Sequence, residues 1–155
     1  MIWLLLACEY TPEELCAGKG PESLDLGGGE SDSFEPYVEG DEAEIMVPPQ
    51  GGYGLTFRAR TLGLVTNNVV DLDMETEHDG EVIGQFAAEG WYVYCQEEGH
   101  GLLWGTATPI DEALFPSGDD LAVLDGETAV MRVTATDVDG DTATGEATVT
   151  MWLRD

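Results

Sequence analysis

The chain is poor in positive charge. Five Lys and Arg stand against 32 Asp and Glu, Lys19 is its single lysine, and the formal net charge is −27. Such a surface repels nucleic-acid phosphates and anionic lipid headgroups, which excludes DNA, RNA and direct headgroup binding as main activities. Histidine is scarce as well. His78 and His100 are too few for a His-rich or Cys-His zinc cluster at ligand spacing. No stretch approaches the roughly 18 consecutive apolar residues of a spanning helix. Catalytic signatures are missing too. No serine lies in a G-x-S-x-G elbow, and Gly51 and Gly52 lack the Lys-Ser/Thr of a phosphate loop. Acidic pairs are so plentiful that none stands out as a glycosidase acid and base. These absences argue against an enzyme; a hydrolase with an acidic site is the least favoured class.

What remains is one domain's worth of chain. The sequence has 155 residues with 43% hydrophobic content, enough for a core plus a tail. Three readings compete for the acidity: a solubilising surface, sites for divalent cations, and steering of a cationic partner. The carboxylates are spread from Glu9 to Asp155, which favours the first.

Leu5, Leu6, Ala7 and Cys8 have the form of a bacterial lipobox. In that reading residues 1–8 are the end of a signal, cleavage precedes Cys8, and Cys8 carries lipid. The protein is then extracytoplasmic, in the periplasm or on the cell surface, held to a membrane only through that anchor. The apolar run covers only Ile2 to Ala7 with no Lys or Arg before it, shorter than a full leader. A start assigned too far downstream accounts for this; the competing reading is a frayed apolar N-terminus. With Cys8 lipidated, Cys16 and Cys95 remain, and an oxidising compartment lets them pair. The alternative is two free thiols, Cys95 buried and Cys16 exposed.

Residues 9–34 read as an acidic, Gly- and Ser-containing tether. Thr11, Pro12 and Glu14 open one capped helical turn, and Gly27 to Ser33 has a linker composition. Residues 35–155 read as β-structure. Ala143, Gly145, Ala147, Val149, Met151 and Leu153 alternate with Thr142, Thr144, Glu146, Thr148, Thr150 and Trp152, a strand with one dry and one wet face. Ala129 to Thr136 alternates likewise, and Asp139 and Gly140 between the two predict a hairpin. Earlier strands are expected at 43–47, 53–60, 68–78, 81–87, 92–96 and 102–107. A helical turn is expected at 108–112. Many short strands between turn signals predict an all-β fold, an antiparallel sandwich.

The run from Leu124 to Val133, the turn Asp137 to Thr142 and the last strand resemble the end of an immunoglobulin-like or fibronectin-type-III-like domain. Pro48 to Tyr53 is similar to a turn in uncharacterised exported lipoproteins of myxobacteria. The resemblance implies an immunoglobulin-like β-sandwich over 35–155 and a habit of binding, with no specific ligand. It lacks the Cys…Trp…Cys framework and the corner tyrosine of antibody domains.

Two acidic groups are candidate calcium sites. Asp71, Asp73, Glu75, Glu77 and Asp79 take every second position and project from one face. Asp71 and Asp73, with help from another strand, are the candidate ligands there; the competing and favoured reading is a charged face that discourages edge pairing, with Arg58 and Arg60 as its companions. Asp137, Asp139 and Asp141 sit on the C-terminal hairpin. An EF-hand is rejected because its Gly and Glu positions hold Thr142 and Thr148. A looser site competes with aspartates bonding their own backbone. Trp91, Tyr92, Tyr94 and Trp104 are the densest aromatic group, a platform for a glycan or protein if exposed and core if buried. The reading is therefore a lipid-anchored binding or structural module without catalysis and without a cofactor other than optional calcium. A calcium-dependent adhesion or carbohydrate-binding module is the rival. Its oligomeric state is open.

In cells fed a clickable fatty acid, the wild type takes up label and Cys8→Ser does not. Equal labelling of both removes the anchor.

Overall fold

The computed structural model describes residues 20–30, 33–47, 52–96 and 99–154. Cys8, Cys16, the turn expected at Thr11 and the turn at 48–51 lie outside them. Nine strands form one sheet: β1 (Ser23–Gly28), β2 (Glu35–Pro36), β3 (Glu42–Met46), β4 (Tyr53–Leu62), β5 (Asn68–His78), β6 (Glu81–Cys95), β7 (Gly101–Ile110), β8 (Thr128–Asp137) and β9 (Thr142–Leu153). Ser23–Gly28 belongs to the sheet although it falls in the stretch read as tether.

The sheet order is β2-β1-β4-β3-β9-β8-β5-β6-β7, and β4 also pairs with β7. That pairing runs from Tyr53 opposite Ile110 to Thr61 opposite Gly101. It joins the sheet to itself, so β3 to β9 close into a seven-stranded barrel. The immunoglobulin-like sandwich expected from the sequence is corrected: one layer curls round, and no second layer stacks on it. Nor is the sheet antiparallel throughout. β3 runs parallel to β9, with Glu42 opposite Thr150 and Ile45 opposite Leu153. Apolar alternation has the same form in a sandwich and a barrel, one dry face and one wet. It assigns side chains to a face and leaves strand neighbours open.

Inside, the alternation holds. Ala129, Met131, Val133 and Ala135 of β8 and Ala143, Ala147, Val149 and Met151 of β9 are buried. β1 lays Leu24 and Leu26 into the same core. A Cβ on Gly145 would stand 2.5 Å from the Leu24 carbonyl oxygen, so the close approach of β1 to β9 requires glycine there. A short helix α1 (Gly118–Leu121) and a 3-10 turn (Ala122–Leu124) add Leu121 and Leu124 to the core. Ser117 caps α1 by accepting from the Asp120 N–H at 3.3 Å. The helical turn expected at 108–112 is instead the end of β7: Thr108 lies opposite Leu55 and is fully buried. Pairing along β4 overrides the local capping pattern.

The β5–β6 turn follows its sequence. Asp79 (φ 50°) and Gly80 (φ 79°) both take the left-handed conformation that a two-residue hairpin turn needs. β6 then continues as one long strand where two had been expected. Its register against β5 shifts between Thr76 and Glu77 and between Val70 and Leu72. Bulges at those points bend it around the barrel.

Thr76 and Thr108 are fully buried, and among the described residues their hydroxyls have no hydrogen-bond partner. An unsatisfied buried hydroxyl costs more than a methyl of similar shape. Thr76→Val and Thr108→Val are each expected to raise unfolding free energy by about 1 kcal/mol in urea titration. A loss of stability would show that these hydroxyls are bonded in solution.

Candidate functional site

The hairpin aspartates are a backbone knot. Asp137 is buried, and its Oδ1 accepts from the Asp139 and Asp141 N–H groups, each at 3.0 Å. Its Oδ2 accepts from the Val65 N–H at 3.0 Å, which ties the β8–β9 turn to the loop after β4. Asp139 and Asp141 are exposed. Among the described residues no group of three or more His, Cys, Asp or Glu is placed to hold a metal ion. Asp71 accepts from the Gly90 N–H at 3.0 Å.

The acidic ladder of β5 faces outward as its spacing predicts, with Leu72, Met74 and Thr76 buried behind it. Asp79 leaves the ladder, because it sits in the turn. The cation that answers the ladder is Arg132 of β8, opposite Glu75. It contacts Glu75 at 2.9 Å, Glu77 at 2.7 Å and Glu146 of β9 at 2.7 Å. The hydrogen bonds it donates to Glu77, Glu146 and Glu75 hold the guanidinium charged well above its ordinary range. Gln85 and then Arg132 donate to Glu75, which keeps its carboxyl below the usual carboxylate range. Arg58 and Arg60, the partners considered from sequence, lie elsewhere. Arg60 pairs with Asp25 at 3.0 Å and lies over the Phe34 ring; Arg58 donates to the Ser33 carbonyl at 3.2 Å. Arg132 escaped notice because only the β5–β8 pairing reveals its neighbours. Its outward place on the 128–136 alternation was the available signal.

The aromatic group divides. The Tyr94 and Trp104 rings stack at 4.4 Å with 8° between their planes, and Tyr92 meets Tyr94 edge-on at 4.8 Å. Tyr92 and Tyr94 are exposed at about 40%. Trp91 belongs instead to the wall. It lies opposite buried Val70, packs on the core, and its indole N–H donates to the Trp104 carbonyl at 3.3 Å. A bulge places Trp104. Between Phe57 and Ala59 the register shifts, so that Trp104 and Gly105 (φ 76°) together oppose Arg58.

Beside Trp104 runs a groove of about 350 Å³ whose lining includes Tyr37, Met46, Thr56, Phe57, Arg58 and Trp104. Among the described residues, no Asp or Glu lines it. Tyr37 is anchored by donating to the Thr56 carbonyl at 3.1 Å. Burial, and then the charge of Asp41, push its hydroxyl pKa up. A second hollow shares Gly28 and Tyr37 and is lined by Glu35, Asp41 and Glu42. On the opposite kind of surface, Asp73, Glu75, Gln85, Phe86 and Arg132 border a shallow groove of about 490 Å³. Cys95 is disulfide-bonded, and its partner lies outside the described residues.

No protein-family model matches this chain, and no curated protein is significantly similar to it.

Arg132→Met leaves three facing glutamates without their cation. The variant is expected to melt below the wild type at neutral pH, with a smaller gap at pH 3. Glu75 has a depressed folded pKa, so its contribution is full above the ordinary carboxylate pKa of about 4.3 and is lost as pH falls through the folded value. A pH-independent gap would remove the electrostatic account.

Proposed function

We propose that this chain is a non-catalytic extracytoplasmic binding module, anchored through lipid on Cys8, that holds an uncharged glycan in the groove beside Trp104. The observation that carries the reading is the groove's composition. In a chain with 32 Asp and Glu, the described residues of its lining include none, and Arg58 is the charged group among them.

The chemistry suits a sugar. An aromatic face carries negative quadrupole charge and attracts the weakly positive C–H face of a pyranose. Trp104 is stacked on Tyr94, so its ring is already oriented and little side-chain freedom is lost on binding. Arg58, held by donating to the Ser33 carbonyl, brings a positive charge to the lining. The volume of about 350 Å³ falls within the usual range of ligand sites. The long-range field of a protein with net charge −27 opposes polyanions, which favours a neutral glycan over an acidic one. Cys95 is disulfide-bonded, in keeping with an oxidising compartment, and a bond to Cys16 would leave Cys8 for the lipid.

An array of neutral oligosaccharides, probed with the soluble domain, is expected to contain binders. Trp104→Ala weakens them tenfold or more, consistent with loss of about 1.4 kcal/mol, while Tyr92→Ala changes affinity little. Folding of both variants is checked by near-ultraviolet circular dichroism. No binder on the array, or equal binding by a folded Trp104→Ala protein, overturns the reading.

A further inference from the structure

The barrel wall is not uniformly laced. β6 and β7 meet at their two ends and part between. At one end Tyr94 and Cys95 pair with Leu102 and Gly101. At the other, the Asp111 N–H donates to the Ile83 carbonyl at 2.7 Å, and Gly84 abuts the Pro109 carbonyl. Among the described residues, no backbone pairing joins Gln85 to Val93 with β7. The cause is local. The bulges of β6 fall at Ile83 and at Glu89 and Gly90, on either side of Gln85 to Ala88. β7 contributes its own bulge at Trp104 and Gly105, and Pro109 has no N–H to offer.

Exposure marks the opening. Gln85, Phe86 and Ala87 are consecutive strand residues and all three are exposed. In a closed wall one of two neighbours should face the core. Phe86 lies opposite buried Met74, on the inner side, yet is 59% exposed. Among the described residues, Gln85 to Ala88 is therefore a sheet edge in an otherwise closed barrel, paired with β5 on one side and with no strand on the other.

We infer that the free edge of β6 between its two bulges accepts an extended, basic segment of a partner protein as an added strand. Backbone hydrogen bonds supply the register, as in other strand additions. Charge identifies the partner. A second copy of this chain brings another −27 and is repelled. On the outer face the new strand runs beside Glu89, with Asp71 and Asp73 one strand further on. Asp73 makes no ion pair among the described residues. On the inner side it meets Phe86 and Ala88. The fitting segment alternates Lys or Arg with an aliphatic residue over about five positions, the length of one short strand. Gln85 to Glu89 are not among the residues lining the glycan groove, although both features adjoin the Trp104–Gly105 bulge, and neither reading depends on the other.

The probe is a capped peptide of alternating Lys and Val, with two controls: alternating Glu and Val, and the Lys-Val peptide N-methylated at alternate residues. The folded protein is expected to bind the first at least tenfold more tightly than either control. Amide hydrogen exchange should slow in residues 85–89 on binding. Ala87→Pro, which removes an edge N–H, should weaken binding tenfold without altering the melt or glycan binding. If that variant misfolds, the exchange measurement on wild type decides. Equal binding of the plain and methylated peptides, or no protection in 85–89, overturns the inference. Concentration-dependent dimerisation that protects those same amides also overturns it, because the edge would then belong to a second copy.

Discussion

The antiparallel pairing of β4 with β7 is the constraint on which the rest depends. It turns a curled sheet into a barrel and gives Leu55, Phe57, Ala59 and Leu103 a common interior. Burying each large aliphatic side chain contributes about 2 kcal/mol, but only where strands enclose it on every side. The same pairing carries the bulge opposite Arg58 that turns Trp104 outward onto Tyr94. Closure and candidate binding site thus come from one strand pair.

Closure also organises the charge. With the interior apolar, the carboxylates other than buried Asp137 are left to the outer wall, and few cations separate them. Arg132 gathers Glu75, Glu77 and Glu146 at the crossing of three strands. Arg60 takes Asp25, and Arg154 reaches Glu44 at 3.5 Å. The remaining negative surface is solvated, and exposed pairs of this kind add little stability individually. Against that background a groove whose described lining holds no carboxylate, beside an oriented Trp, is a local exception, and an exception in charge is where recognition is easiest to build.

Much of the fold was legible. The outward ladder from Asp71 to Glu77, the alternation of the last two strands and the turn at Asp79 and Gly80 all appear where their patterns place them. These are local properties: a period of two residues and a turn that needs positive φ. Other features had no local signature. Nothing near Leu24 or Leu26 marks them as core, since a short strand amid glycines looks like a linker until β4 pairs with it. Trp91 and Tyr92 are neighbours in sequence yet take opposite sides of the wall. Asp137 looked like its two companion aspartates, but only its carboxylate is buried against three backbone N–H groups.

By itself the sequence determined the β class, the inward and outward faces of most strands, and the sign of the surface. Those follow from side-chain period and composition, which are properties of neighbouring residues. The tertiary structure alone decided that the sheet closes, that β3 runs parallel to β9, and that Arg132 meets three glutamates. Each of these joins residues far apart in the chain. Alternating strands satisfy the same burial rule in a sandwich or a barrel, so only the actual pairing of edges distinguishes the two.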